Sequence, residues 1–516
     1  MHEVGFRKWM IAFTVVLASV IELIDTSIVN VALPHMMGNL GATLDEVAWV
    51  VTSYIVANVI IVPMTAWLSA RFGRRNYFLT SIIIFTVSSF FCGRATGIWE
   101  LVFFRFIQGI GGGALLSTSQ SILVETFPRE QLGLANAMFG LGVVMGPTIG
   151  PTLGGYITDN LSWPWIFYVN LPIGAVAAFM TMAFIREPRQ KWQIAGIDWV
   201  GMLLLAAGIG SLQVVLERGE RLDWFSSRTI IVLSIVSMVS LVGFVFWELS
   251  RDHPVVDLRV FKHRSLAFGT LFTFILGFAL YSSLFIFPVY AQELLGFSAT
   301  QTGLLLMPGG LATAMMMPVI AKLLHIRTPP QLLNATGFFL FFVFSETLGR
   351  TSLATGQHQL FWPMILRGLA LACLFVPLTT LALSDLQGAE IAQGTGLTNM
   401  MRQLGGSFGV ALVATYIQQR SWTNRSVLVS HVSMYEPMVR ERLNAISGAL
   451  VQSGSSTVQA QDQALRALDG IVTQQTMLLT YLDAFRLVGW FSLLCIPLLV
   501  FLRRKSKGAP IQTMAH

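Results

Sequence analysis

Two carboxylates, Glu22 and Asp25, fall inside the first long apolar stretch of the chain, residues 9–33. A charged side chain near the centre of a bilayer costs roughly 2.5–3.5 kcal/mol even on the permissive insertion scale, so acids in such a place generally mark an ion or proton pathway. Their i, i+3 spacing sets both on one face of a helix, about one turn apart. A carboxylate moves protons well when its surroundings bring its pKa near the working pH. Asp25 lies in the run Ile24-Asp-Thr-Ser-Ile-Val-Asn-Val-Ala-Leu-Pro34. The competing interpretation is an acid that only caps or pairs with a neighbouring helix. The expense of burial favours function, more for Asp25 than for Glu22.

A cation stands in the fourth apolar stretch, Arg105 in Phe103-Phe-Arg-Phe-Ile-Gln-Gly-Ile-Gly-Gly-Gly113. At about 1.5 Å of rise per residue, Asp25 is about 12 Å and Arg105 about 10 Å below the outer ends of their stretches. The two are expected to pair, and a proton on Asp25 would weaken that pair. Arg367 and Arg402 are further candidates for buried cations. The glycines from Gly109 to Gly113 are not a dinucleotide loop, because no strand precedes them. In a membrane helix they permit close approach of a neighbour.

The fifth stretch reads Gly140-Leu-Gly-Val-Val-Met-Gly-Pro-Thr-Ile-Gly-Pro-Thr-Leu-Gly-Gly155. Gly142, Gly146 and Gly150 recur every four residues and form a close-packing face. Pro147 and Pro151 each remove a backbone donor and are expected to kink the helix, giving a hinge. Arg71, Gly73, Arg74 and Arg75 crowd one short loop, where the arginines either brace helix ends as a gate or only set topology. No Walker A sequence, hydrolase elbow or zinc helix occurs, so neither ATP drive nor an enzyme is indicated.

Positioning these groups requires many membrane helices. Of 516 residues, 54% are hydrophobic and only 11% charged, with a mean hydropathy of +0.67. Soluble domains carry about 25% charged residues. Fourteen apolar stretches approach the roughly 20 residues that a crossing helix needs, which excludes a membrane β-barrel. The net charge of +7 is spread over short loops, which argues against nucleic acid. Cys92, Cys373 and Cys495 stand at unrelated spacings, so neither disulfides nor a metal site is expected. The N-terminal apolar run is too long for a cleaved signal.

Loop cations orient the spans. With the N-terminus inside, inner segments hold Arg7, Lys8, Arg71, Arg74, Arg75, Arg129, Arg186, Arg189, Lys191, Arg251, Arg259, Lys262, Arg264, Lys322, Arg327, Arg503, Arg504, Lys505 and Lys507. Outer loops hold Arg94, Arg218, Arg221, Arg228 and Arg350. Both termini are therefore expected in the cytoplasm, with the loop carrying Arg218, Arg221 and Arg228 as the exception to the trend.

A weak internal repeat runs through the chain. Arg367 follows Arg105 by 262 residues, and a shift of 263 aligns Gly133, Leu134 and Asn136 with Gly396, Leu397 and Asn399. The same shift aligns Leu141, Gly142 and Gly146 with Leu404, Gly405 and Gly409. The expected organisation is a six-helix half at 1–190, an inserted helix pair at 191–262 and a second six-helix half at 263–516. Duplicated halves place a binding site near the midplane between them. A long outer loop, 417–483, is expected to contain an amphipathic helix from Val458 to Thr480, with a packed cap and a partner-docking role equally open.

Together these stretches resemble the major facilitator superfamily, and within it the fourteen-helix drug:H+ antiporter family. The resemblance covers nearly the whole chain. It rests on the Asp25, Arg105 and Gly-Pro runs, and on Trp163-Pro-Trp-Ile-Phe-Tyr-Val-Asn-Leu-Pro-Ile-Gly174. The long loop ending Leu479-Thr-Tyr-Leu-Asp-Ala-Phe485 looks like the EmrB-type branch. The resemblance implies an all-α membrane protein of fourteen helices in the bacterial inner membrane. It implies export of amphipathic drugs against proton entry, with the proton gradient in place of any cofactor. It implies a periplasmic adaptor of the EmrA type and an outer-membrane channel of the TolC type. By the same likeness, Asp25 and Glu22 are proton-coupling acids, Arg105 their arginine, and Gly146-Pro147 the hinge. Ala66 and Ala70 replace the family's usual Gly and Asp near the gate, which weakens the expectation of a charge relay there.

The expected mechanism is rocking of two halves around an apolar cavity with few polar groups. Tyr54, Asn58, Asn136, Tyr281, Asn399, Arg402 and Gln403 are the candidate lining residues. The alternatives are a dedicated exporter of one metabolite, siderophore or lipid, and a membrane scaffold or sensor that transports nothing.

Overall fold

The computed structural model describes residues 5–187, 198–252, 254–326, 328–433 and 435–502. The expected boundary at 190/191 and the cations Arg189, Lys191, Arg327, Arg503, Arg504, Lys505 and Lys507 lie outside these. The described residues are helical, with no strand among them. In chain order the helices are α1 (Phe6–Leu40), α2 (Leu44–Phe72), α3 (Arg74–Arg94), α4 (Ile98–Thr126), α5 (Leu132–Asn160) and α6 (Trp165–Phe184). Then follow α7 (Trp199–Arg218), α8 (Arg228–Ser250), α9 (Arg264–Val289), α10 (Ala299–His325), α11 (Pro330–Leu348), α12 (Gln357–Leu383), α13 (Ala389–Ser430), α14 (Pro437–Gln452) and α15 (Thr457–Leu494).

Thirteen of these are long and apolar enough to cross a bilayer. The chain is a multi-pass membrane protein. α13 is less apolar than the others because its first and last turns are polar. It nonetheless lies inside the bundle, packed along α9, and completes the fourteen helices of the fold.

Local signals start and stop the helices. Thr43 and Glu46 form a reciprocal capping box at the start of α2, and Ser298 with Gln301 does the same for α10. α1 ends on Gly41 in the left-handed region. Gly73, at φ +85°, makes the sharp turn from α2 to α3, a conformation that a side chain rarely adopts.

Packing is repeated. α1 lies along α5, α2 along α4, α3 along α4 and α6; likewise α9 lies along α13, α10 along α12, α11 along α12 and α15. The two sets meet where α5 packs on α10 and α2 on α13. α7 and α8 pack on each other, with α7 seated against α2 and α13.

One expectation changes. The stretch 417–483 is not an open loop: α13 runs on to Ser430, α15 begins at Thr457, and α14 lies between and packs on α15. At 1.5 Å per residue α13 is about 63 Å and α15 about 57 Å long, roughly twice a hydrocarbon core of about 30 Å. Both therefore project beyond the apolar zone as a helical hairpin, pinned by Arg420–Asp483 at 2.8 Å and Arg425–Asp469 at 2.6 Å. α5 is one helix that contains both Pro147 and Pro151.

Candidate functional site

Glycines bring the site helices together. On α4, an added Cβ at Gly109 would meet the backbone of Tyr54 on α2; at Gly112 it would meet the Tyr54 hydroxyl, and at Gly113 the backbone of Asn58. Their absence of side chains lets α2 press Tyr54 and Asn58 inward. On α5, Gly142, Gly146 and Gly150 face Val20, Leu23 and Ser27 of α1. The glycine ladder thus seats the helix that carries both acids. The C-terminal set uses the same device: Gly405, Gly406 and Gly409 of α13 face Phe274, Tyr281 and Ser282 of α9.

Asp25 is fully buried and Arg105 is 1% exposed. Arg105 Nη1 donates to Asp25 Oδ2 at 2.6 Å and to Gln108 Oε1 at 2.8 Å, and its Nε donates to the Val50 carbonyl. Asp25 Oδ1 accepts from Gln108 Nε2 at 3.0 Å and from Asn170 Nδ2 at 2.7 Å. The guanidinium also lies 4.1 Å from the Tyr54 ring centroid. Each Asp25 oxygen is therefore engaged, and the pair belongs to a closed network of α1, α4 and α6. Such a pair is strongly stabilising relative to a half-broken one, because removing one partner strands a buried charge.

Glu22, one turn earlier, is placed differently. Its Oε1 accepts from Asn58 Nδ2 at 3.0 Å and from the Tyr54 hydroxyl at 3.3 Å. Its Oε2 is buried and has no hydrogen-bond partner among the described residues. Asn58 in turn accepts from Gln403 Nε2 at 2.7 Å, so Glu22 is linked through α2 to α13 of the opposite set. Arg402 and Tyr281 lie within electrostatic reach of Glu22, and the Tyr281 hydroxyl faces the Arg402 guanidinium.

Hydrogen bonds place several of the seven expected lining residues at the interface between the sets. Tyr54, Asn58, Asn136, Asn399 and Arg402 are buried, and Tyr281 and Gln403 half-buried. Asn399 donates to Gln120 Oε1 at 2.8 Å, Gln120 donates to Asn136, and Asn136 donates to Thr380. A ladder of neutral amides thus joins α4 and α5 to α12 and α13.

Arg367 repeats the place of Arg105, yet its Nε donates to a hydroxyl, Ser283 Oγ at 3.0 Å, where Arg105 meets a carboxylate. At the α2–α3 turn two of the arginines are held by partners in their own half. Arg74 pairs with Glu125 of α4 at 2.6 Å, and Arg75 donates to the Met182 carbonyl of α6. Glu187 accepts from the Asn76 amide beside Gly73. Glu125 of α4 thus supplies a countercharge to Arg74. Arg71 is exposed.

Several residues escaped sequence reasoning. Gln108 and Asn170 complete the Asp25 shell; Gln108 stands i+3 from Arg105, a spacing that signals contact on a helix. Gln120 is the centre of the amide ladder, for which no local signal exists. Gln213 of α7 donates to Ser407 Oγ of α13 at 2.6 Å and to Glu217. Arg218 and Arg221 both approach Asp45 at 3.7 Å.

The sequence profile of the Major Facilitator Superfamily matches residues 15–410. The chain is 36% identical over 447 residues to the multidrug export protein EmrB of Escherichia coli (strain K12), covering 86% of this chain and 87% of that one. It is 34% identical over 485 residues to the fatty acid resistance protein FarB of Neisseria gonorrhoeae, covering 93% of each. The solved structure of the human organic anion transporter MFSD10 superposes with a TM-score of 0.59 at 15% identity, over 94% of this chain and 99% of that one, a likeness of fold. With its fourteen-helix bundle and its duplicated packing, the chain belongs to the major facilitator superfamily, among the EmrB-type multidrug efflux permeases.

Proposed function

We propose that this drug efflux transporter is a proton-coupled antiporter in which Glu22 carries the proton and Asp25–Arg105 holds the helix that presents it. One observation carries the reading: Glu22 keeps a buried oxygen without a partner at the interface of the halves, whereas both oxygens of Asp25 are engaged. A proton needs an open carboxylate oxygen in a place that changes exposure as the halves rock. The cargo is an amphipathic small molecule that binds between the halves and displaces the amide ladder. Proton and cargo exclude each other, which is the condition for exchange.

The likeness to EmrB-type permeases supports the bacterial inner membrane as its location, and the distribution of loop cations supports both termini in the cytoplasm. The hairpin of α13 to α15 then projects into the periplasm, where it is placed to meet an adaptor of the EmrA type leading to a channel of the TolC type. The relative named for fatty acid resistance favours a second reading, a dedicated exporter of one lipid-like compound. Uptake of chemically unrelated fluorescent amphiphiles into proteoliposomes under an imposed pH gradient tests both. Antiport requires that reversing the gradient reverse the flux. Flux indifferent to the gradient removes proton coupling, and transport of a single compound favours the dedicated exporter.

A further inference from the structure

Arg402 is an arginine in the interior of a membrane protein without a carboxylate bound to it. It is 1% exposed, and its Nε and Nη2 have no hydrogen-bond partner among the described residues. Its guanidinium sits 5.6 Å from the Phe375 ring centroid and 5.9 Å from that of Phe139. Ring faces attract a cation but do not replace the hydrogen bonds it lost from water. The backbone of Arg402 is seated directly on Gly277 of α9, so the residue moves with the C-terminal set.

Glu22 of the N-terminal set has the complementary vacancy at Oε2. The charged and titratable groups around it are Asp25 on its own helix, Tyr54 of α2, Arg105 of α4, Tyr281 of α9 and Arg402 of α13. α5 and α6 turn no charged side chain toward it. Arg105 is already bound to Asp25, Gln108 and the Val50 carbonyl. Arg402 is the remaining cation. Gln403, its neighbour in sequence, already reaches Asn58, the residue that donates to Glu22.

We infer that Arg402 is the positioning residue that converts the charge on Glu22 into contact between the halves. When Glu22 is a carboxylate, Oε2 and the Arg402 guanidinium close into an ion pair across the interface. When Glu22 holds a proton, that pair is open, as the two sets of unpartnered atoms are here. The inference rests on Glu22 as the proton carrier. It differs from Asp25–Arg105, which stays within one half and cannot report on the other.

The test follows the carboxylic C=O infrared band of Glu22 in the full-length protein in lipid, identified by its loss in Glu22→Gln, as pH is raised. Removing an opposite charge near a carboxylate tightens its proton by about tenfold or more. Arg402→Gln is therefore expected to move the pH of half-loss up by about one unit or more, on the same basis. Arg402→Lys, which keeps the charge, is expected to bring it back toward the wild type. Arg402→Met keeps the stem and serves the same comparison if the Gln variant does not fold. A Glu22 band that titrates at the same pH in wild type, Arg402→Gln and Arg402→Met overturns the pair and leaves Glu22 as the proton carrier. A wild-type protein with no titrating Glu22 band overturns both.

Discussion

At the scale of single residues, the proposed function gives the two acids of α1 different roles and puts the proton on Glu22, whereas the sequence reading favoured Asp25. Asp25 is enclosed by Arg105, Gln108 and Asn170. Asp25→Asn leaves Arg105 as a stranded buried guanidinium, with an expected loss of about 3–5 kcal/mol of stability. Thermal unfolding in detergent micelles checks this, and Glu22→Gln, which removes no ion pair in this arrangement, is expected to unfold near the wild-type temperature. Both acids, Arg105 and the polar residues of α2, α5 and α13 were legible in sequence, because a charge or amide in an apolar span stands out against its surroundings. The division of roles was not. It depends on Asn170, Tyr54 and Asn58, which reach the acids only through the packing of other helices.

Helices α4 and α5 act through what they lack. Gly113 accommodates the backbone of Asn58, and even a methyl group there has no room without displacing α2. Gly113→Ala is expected to destabilise by about 1–3 kcal/mol through overpacking, and to weaken transport by shifting Asn58 away from Glu22. The melting temperature and the initial rate of flux in proteoliposomes measure the two effects. The glycine faces of α5 and α13 were readable as close-packing ladders, since their four-residue spacing is a helical period. The hairpin of α13 and α15 was only half legible. Its polar, exposed outer turns resemble a loop in composition, and their helicity is settled by partner contacts such as Asn424 with Thr480 and Arg425 with Thr473.

For the whole molecule, two related sets of helices meet through a ladder of neutral amides and, by the inference above, through an ion pair that closes only when Glu22 is charged. The hairpin lies outside this interface. Replacing residues 421–479 by a short Gly/Ser link is therefore expected to preserve flux in proteoliposomes while abolishing capture of the EmrA-type adaptor in a pull-down. Adaptor capture undiminished by the replacement removes the hairpin as the docking surface. Exchange itself requires that cargo and proton displace one another at Glu22. Adding a transported amphiphile to the purified protein in weakly buffered solution tests this most directly. The expected result is proton release by the wild type that is lost in Glu22→Gln. Release of equal size from Glu22→Gln, or none from a wild type that binds the cargo, contradicts Glu22 as the exchanging group.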